Sequence, residues 1–296
     1  MPIKIATNEQ IISEDFAKKN FFIKAIVYGK THMGKTHLAL SSFFLDRGDK
    51  ENVMFVFPTD TIQNIEEVLK KLFTKEELKR IYSPRDEEGV MKRLTNIVDI
   101  RTMLDFVLKF IEQNPNKHPI IVVDTADGIE DIYLEHLFSQ LHTIRRNNPN
   151  PIPADYGKAR TDMLINFVMP LMDLKADVIF ITSEEDIYAT EFSDGSPYVK
   201  PTGLLDITLG GSSRRSKDKF KRPFNMIFHL SEIAPYDIEK RKVINIVEKI
   251  KLSDNPNQWF KPIKFTGNDC NDMRRIFKEI LYRQQMSRDE RLKNIK

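Results

Sequence analysis

Cysteine is almost missing from this chain. The 296 residues hold one, Cys270, so no intrachain disulfide can form and a reducing compartment is expected. Long apolar runs are missing too. None approaches the roughly 18 residues that a bilayer span needs. The first residues carry Glu9, Glu14 and Asp15 and no apolar stretch of the kind a secretion signal requires. A soluble cytosolic protein is the expectation. Net charge is small, at +3, so overall charge does not mark a nucleic-acid binder and any such role needs a local basic patch. There is no repeat and no long low-complexity segment. What the chain does have is 41% hydrophobic and 30% charged residues, enough for a sizeable core under a heavily charged surface, in one large or two small domains.

Glycine is scarce as well, at 11 residues, and two of these frame the most informative stretch. Gly29-Lys30-Thr31-His32-Met33-Gly34-Lys35-Thr36 reads G-x-x-x-x-G-K-T, the Walker A phosphate loop. Its surroundings fit. Residues 21–28 (FFIKAIVY) form an apolar, β-branched and aromatic run that reads as a buried strand, and residues 35–45 read as the helix that follows. Gly29 and Gly34 let the backbone turn tightly and approach a phosphate. The loop amides, together with the N-terminus of the next helix, then face the anion. In this motif Lys35 reaches the β- and γ-phosphates and the Thr36 hydroxyl ligates Mg²⁺. His37 follows directly and is counted with the loop as nucleotide-contacting.

Downstream, residues 53–57 (VMFVF) read as a second buried strand ended by Pro58, with Asp60 just beyond its carboxyl end. Helical patterning covers 62–80, with Thr74 and Glu77 spaced as a capping box. Residues 83–98 read as loop with short helix, and 101–113 as an amphipathic helix. Residues 119–124 (PIIVVD) then form an apolar strand ending in an acid, a Walker B strand whose Asp124 would hold Mg²⁺ opposite Thr36. A helix over 129–146, a breaker rich in Asn and Pro over 145–153 and a helix over 158–174 lead to the fourth core strand, 178–182 (VIFIT).

Residues 186–222 show little regular pattern and close on a basic segment. Arg214, Arg215, Lys217, Lys219, Lys221 and Arg222 fall within nine residues, with Phe220 among them. Its cations could neutralise phosphates and Phe220 could stack on a base; a solvated loop is the competing reading. Strands over 225–230 and 243–248 follow, then a short edge strand near 262–265, an amphipathic helix from Met273 and a basic end.

This order gives a doubly wound α/β domain with a mostly parallel sheet and an antiparallel tail. The expected boundaries are an arm over 1–20, a nucleotide-binding domain over 21–268, and a C-terminal helix with a basic tail over 269–296. A guanine-specific enzyme is disfavoured. The Asn/Thr-Lys-x-Asp motif is absent from a core strand's end, and Asp124 is followed three residues later by Asp127 rather than glycine. ATP is the expected nucleotide.

GKTHMGKT, PIIVVDTAD, the Ala154-Asp155-Tyr156-Gly157 opening of a helix, VIFITSEED and the late VINIVEKIK strand together resemble the RecA-like ATPases of phages and other viruses. In particular they resemble the small ATP-binding single-strand-annealing or recombination proteins. The resemblance spans roughly residues 21–250, and only its first two motifs are specific. It implies an ATP- and Mg²⁺-dependent ATPase that acts on DNA, single-stranded by preference, as a homo-oligomer, in the host cytoplasm for a viral chain. It implies that the acid after the second strand polarises the attacking water. Asp60 stands there in place of the more usual Glu, so Asp127 or Glu184 could take the role, and a plain helix N-cap is an equal reading for Asp60. It implies a polar γ-phosphate sensor at the fourth strand's end, where Thr182 and Ser183 stand. It also implies a Lys-x-Lys reaching a neighbour's γ-phosphate, the place held by Lys249 and Lys251, with solvated lysines as the competing reading. Two other functions are open: a nucleotide-gated scaffold with negligible hydrolysis, and a P-loop kinase with the basic segment as a lid.

Overall fold

The computed structural model describes residues 22–31, 33–59, 61–145, 150–193, 196–210, 214–231, 243–248, 264–266, 273–274 and 276–278. Strand β1 (Lys24–Gly29) runs into the phosphate loop, which opens helix α1 (Lys35–Ser41). Then come β2 (Glu51–Pro58), α2 (Ile62–Leu72), α3 (Lys75–Leu78), the two-residue β3 (Ile81–Tyr82) and α4 (Ile97–Gln113). β4 (Lys117–Asp124) leads to α5 (Ala126–Ile144). Helix α6 (Pro153–Met163) passes through a π-helical stretch, Leu164–Val168, into α7 (Met169–Met172). β5 (Asp177–Thr182) follows, then β6 (Glu184–Ser193), β7 (Ser196–Ile207), α8 (Arg214–Lys221), β8 (Met226–Ser231), β9 (Val243–Glu248) and β10 (Lys264–Thr266).

One eight-stranded sheet has the order β10-β9-β8-β1-β5-β4-β2-β3. β8, β1, β5, β4, β2 and β3 run parallel, while β9 and β10 pair antiparallel, as the sequence led us to expect. Parallel strands are covered on both faces, so their sequences are continuous apolar runs. Alternate residues of each strand therefore enter different cores. Ala25 and Val27 of β1 pack with Leu38, Leu40, Ile65 and the C-terminal Met273, Ile276 and Phe277. Ile26 and Tyr28 pack with Ile100, Val107, Ile129, Phe167 and Leu171 on the other face. Pro119 lies opposite Val53 of β2 and precedes β4's first pair with β5, Ile120↔Asp177.

Local chemistry sets the element ends. Thr74 and Glu77 form the expected capping box on α3. α4 begins at Ile97 rather than 101, because the Asn96 side chain accepts from the Val98 and Asp99 amides. The largest departure from the sequence reading lies in 186–222. In place of an irregular connection the backbone forms the β6–β7 antiparallel hairpin and then α8.

The amino ends of β1, β4 and β5 hold a buried charge cluster far from the phosphate loop. The Arg47 guanidinium contacts both Asp177 oxygens at 2.5 and 2.6 Å, His118 Nε2 lies 2.9 Å away, and the Ile23 amide donates at 2.8 Å. Burial pushes the Asp177 carboxyl up. Arg47, His118 and the amide together outweigh it and hold the group below the ordinary carboxylate range.

Candidate nucleotide site

The parallel register brings the carboxyl ends of β1, β5, β4 and β2 to one edge. Tyr28 pairs with Thr182, Asp124 with Ile181, and Pro58 with Asp124. The loop leaving β1 therefore faces the acid that ends β4, two strands away.

Two glycines make the loop possible for different reasons. Gly34 is left-handed at φ 84°, a conformation open to glycine without strain, and it launches α1. Gly29 has φ 151°, and a Cβ there would stand 2.3 Å from the Leu230 carbonyl oxygen of β8. The neighbouring strand thus demands a glycine at 29 independently of any ligand. Lys35 Nζ lies across the loop and donates to the Gly29 and Lys30 carbonyls at 2.6 and 2.8 Å. Thr36 Oγ1 donates to Asp124 Oδ2 at 2.8 Å. A hydroxyl and a carboxylate meeting there are two hard oxygen donors of the kind Mg²⁺ takes while keeping several waters, so the residues present fit the ion the motif implies.

A cavity of about 450 Å³ opens over these groups. Thr31, Met33, Gly34, Lys35, Thr36, His37, Asp124 and Ser183 line it, all of them expected from the sequence. Lys30 is exposed beside it. Helix α2 adds Asn64, Glu67 and Lys71, which the sequence did not single out. No local motif marks them, since only the packing of α2 against α1 brings them there.

The acids divide. Asp127 accepts from Thr182 Oγ1 and Thr208 Oγ1, both at 2.6 Å, and from the Ser183 amide at 2.9 Å. It therefore ties the end of β5 to the segment after β7, and its oxygens are turned to structure rather than to an attacking water. Glu184 is likewise engaged, 2.9 Å from His229 Nε2, while the His229 ring stacks on Tyr28 at 4.4 Å. His32, Asp60, Lys249 and Lys251 lie outside the described residues. Behind the site, Thr59 Oγ1 donates to the Thr125 carbonyl at 2.6 Å and accepts from the Thr125 amide at 2.8 Å. This clasp joins β2 to β4 beside Asp124.

The basic segment is placed differently from the expectation. It is a helix, and three of its members point inward. Phe220 is buried against Phe224, so as packed it has no face for a base. Lys217 is buried and bonds Glu185 and the Ile207 carbonyl, and Lys221 pairs with Asp206 at 2.7 Å. Burying a lysine is tolerable only with such partners. Lys219 and Arg222 face solvent. Arg214 and Arg215 lie on the first turn of α8, and their side chains are outside the described residues.

The family model described as "AAA domain" matches residues 22–215, more than half of the chain. The chain belongs to the AAA domain family. With the Walker pair at the sheet's carboxyl edge, this AAA domain has the RecA-like fold of the P-loop nucleoside triphosphatases. No curated protein matches the chain. Among solved structures, an ATPase from the type III secretion system of pathogenic bacteria is similar at 11% identity with a TM-score of 0.39, over 71% of this chain and 52% of that one. The AAA domain chain thus spans about half of that ATPase's length. Among the described residues, no helix is long and apolar enough to cross a membrane.

Proposed function

We propose that this AAA domain protein is a Mg²⁺-dependent ATPase that works on single-stranded DNA in recombination, annealing or replication. The observation that supports the ATPase reading most is the 2.8 Å contact between Thr36 and Asp124, two residues 88 positions apart, above a loop that carries Lys35. Thr36 and Asp124 would hold Mg²⁺, which neutralises charge on the β- and γ-oxygens when bound. Lys35 would trade its two carbonyl partners for phosphate oxygens, and the loop amides would cradle the anion. Asp60, next along from the Thr59 clasp, is our candidate for orienting the attacking water. Lys249 and Lys251 are the candidates for completing a neighbour's site in a homo-oligomer.

DNA as the partner is supported by the resemblance of the motifs to viral recombination ATPases and by the solvent-facing Lys219 and Arg222. The test is phosphate release from ATP with and without single-stranded DNA. The parent should turn over, faster with DNA, and Lys35→Ala should abolish turnover; full hydrolysis by that variant removes the site assignment. A second reading, a nucleotide-gated scaffold, is favoured by the engagement of Asp127 and Glu184 in structural bonds. Binding of ATP without phosphate release, with or without DNA, would select it.

A further inference from the structure

A second cavity of about 450 Å³ opens at the edge strand β3. It lies on the carboxyl edge of the sheet like the nucleotide site, yet β3 is separated from β1 by β5, β4 and β2, ~19 Å at one strand spacing each. Its floor is aromatic. Tyr82 and Phe106 line it with ring centroids 5.6 Å apart, and Phe106 is 41% exposed. Its rim is cationic. Arg85, Lys92 and Arg93 line it, against a single acid, Asp99. Asp99 is already spent on α4's start, accepting from Asn96 Nδ2 at 2.9 Å and from Thr95. The acids of the neighbouring turn, Asp86, Glu87 and Glu88, do not line the cavity.

The rim is also held in place. Residues 84–92 form a small pinned turn. Lys92 N donates to Pro84 O at 2.8 Å, Asp86 N to Val90 O at 3.0 Å, Arg85 bridges Met91, and the Arg85 guanidinium donates to Gly89 O at 2.7 Å. Just beyond, Leu94 N donates to Pro58 O, and Pro58 is the register partner of Asp124.

An exposed ring beside cations carried on a pinned turn is the chemistry that takes a nucleobase and its flanking phosphates. α8, the basic segment that sequence alone favours, has its aromatic and two of its lysines turned inward. We propose that the β3 cavity is a single-stranded nucleic-acid subsite, with a base on Phe106 and Tyr82 and phosphates on Arg85, Lys92 and Arg93. This rests on the DNA reading above and gives that reading a place.

The test is fluorescence anisotropy of a fluorescein-labelled oligothymidylate, about 20 nucleotides long, titrated with the full chain without ATP over a range of salt. Lys92 and Arg93 are exposed, so Lys92→Ala/Arg93→Ala should melt with the parent. It should bind at least about tenfold more weakly, with a salt slope shallower by about 1.4, the value for two lost phosphate contacts on a single strand. Phe106→Leu keeps an apolar side chain and should weaken binding several-fold with the slope unchanged. Parent-like affinity and slope in these variants would overturn the subsite while leaving DNA binding intact. A changed oligomeric state in the double variant at unchanged DNA affinity would overturn it too, marking the cavity as a contact between copies. A parent that binds no oligonucleotide would overturn the DNA reading itself.

Discussion

Arg47 and Asp177 show what a single buried charge pair does for this fold. Both side chains are fully enclosed, and Asp177 also serves His118 and the Ile23 amide. Asp177→Asn would leave a guanidinium in the core without its counter-charge, so urea unfolding should show a loss of about 3–5 kcal/mol. The pH dependence has a definite sign. The folded pKa lies below the ordinary one, so the pair's contribution is complete above about pH 4 and is lost as pH falls through the lower folded value. The Asn variant should lack that acid limb. Lys24 works the other way. Burial pulls its ammonium down to about 8, against the opposing pull of Asp177 and Asp173. Between about 8 and 10.5 the unfolded chain keeps a proton that the folded chain has released, so stability should rise with pH in that window. Urea midpoints at pH 7.5 and 10 should show the rise in the parent and not in Lys24→Met. None of this was legible in the sequence. Arg47, His118 and Asp177 sit in unrelated segments, and only the sheet order brings them together. Lys35, Thr36 and Asp124, by contrast, were readable because the phosphate loop is a local pattern and an apolar strand ending in Asp is another.

Elements were legible where one period ran unbroken. The strands at 24–29, 51–58, 117–124 and 177–182 are uniformly apolar inside, and pattern alone finds them. The β6–β7 hairpin was missed. Glu184 to Ser193 mixes charged, apolar and small residues without a clear period, so pattern does not mark the strand even though its pairing with β7 is local, Ser193 lying opposite Ser196. α8 reads as a loop in the sequence because its polar residues dominate, although Lys217, Phe220 and Lys221 fall on one helical face and anchor it. Gly128 is a quieter case. It sits in the first turn of α5, its amide donating to the Thr125 cap at 3.3 Å, and a Cβ there would stand 2.4 Å from Thr59 Oγ1 and 2.6 Å from Thr59 Cβ. The helix accepts the glycine so that the Thr59 clasp can close beside Asp124. Gly128→Ala should therefore destabilise by about 1–3 kcal/mol in chemical denaturation and weaken ATP binding in a parallel titration. Unchanged ATP affinity would separate the clasp from the site.

At the scale of the whole molecule, a parallel sheet aligns strand ends, and that alignment is what turns two short motifs into one site. The antiparallel β9 and β10 extend the sheet beyond β8, on the far side of β1 from Asp124. The C-terminal Met273, Ile276 and Phe277 return to cover the same face as α1, and Met273 N donates to Ser41 Oγ at 2.9 Å. Chain segments distant in sequence thus brace the helix that the phosphate loop opens. Sequence could foretell the layers but not this bracing, which depends on where the tail lands. The central claim is that this edge grips a magnesium-bound triphosphate through Lys35, Thr36 and Asp124. Isothermal titration calorimetry of ATP into the full chain tests it most directly, with Mg²⁺ and with Mg²⁺ chelated, on the parent, Lys35→Ala and Asp124→Asn. The account predicts tight binding by the parent, a loss of at least about tenfold in Lys35→Ala, and an Asp124→Asn variant indifferent to Mg²⁺. Parent-like, Mg²⁺-dependent ATP affinity in both variants would contradict it.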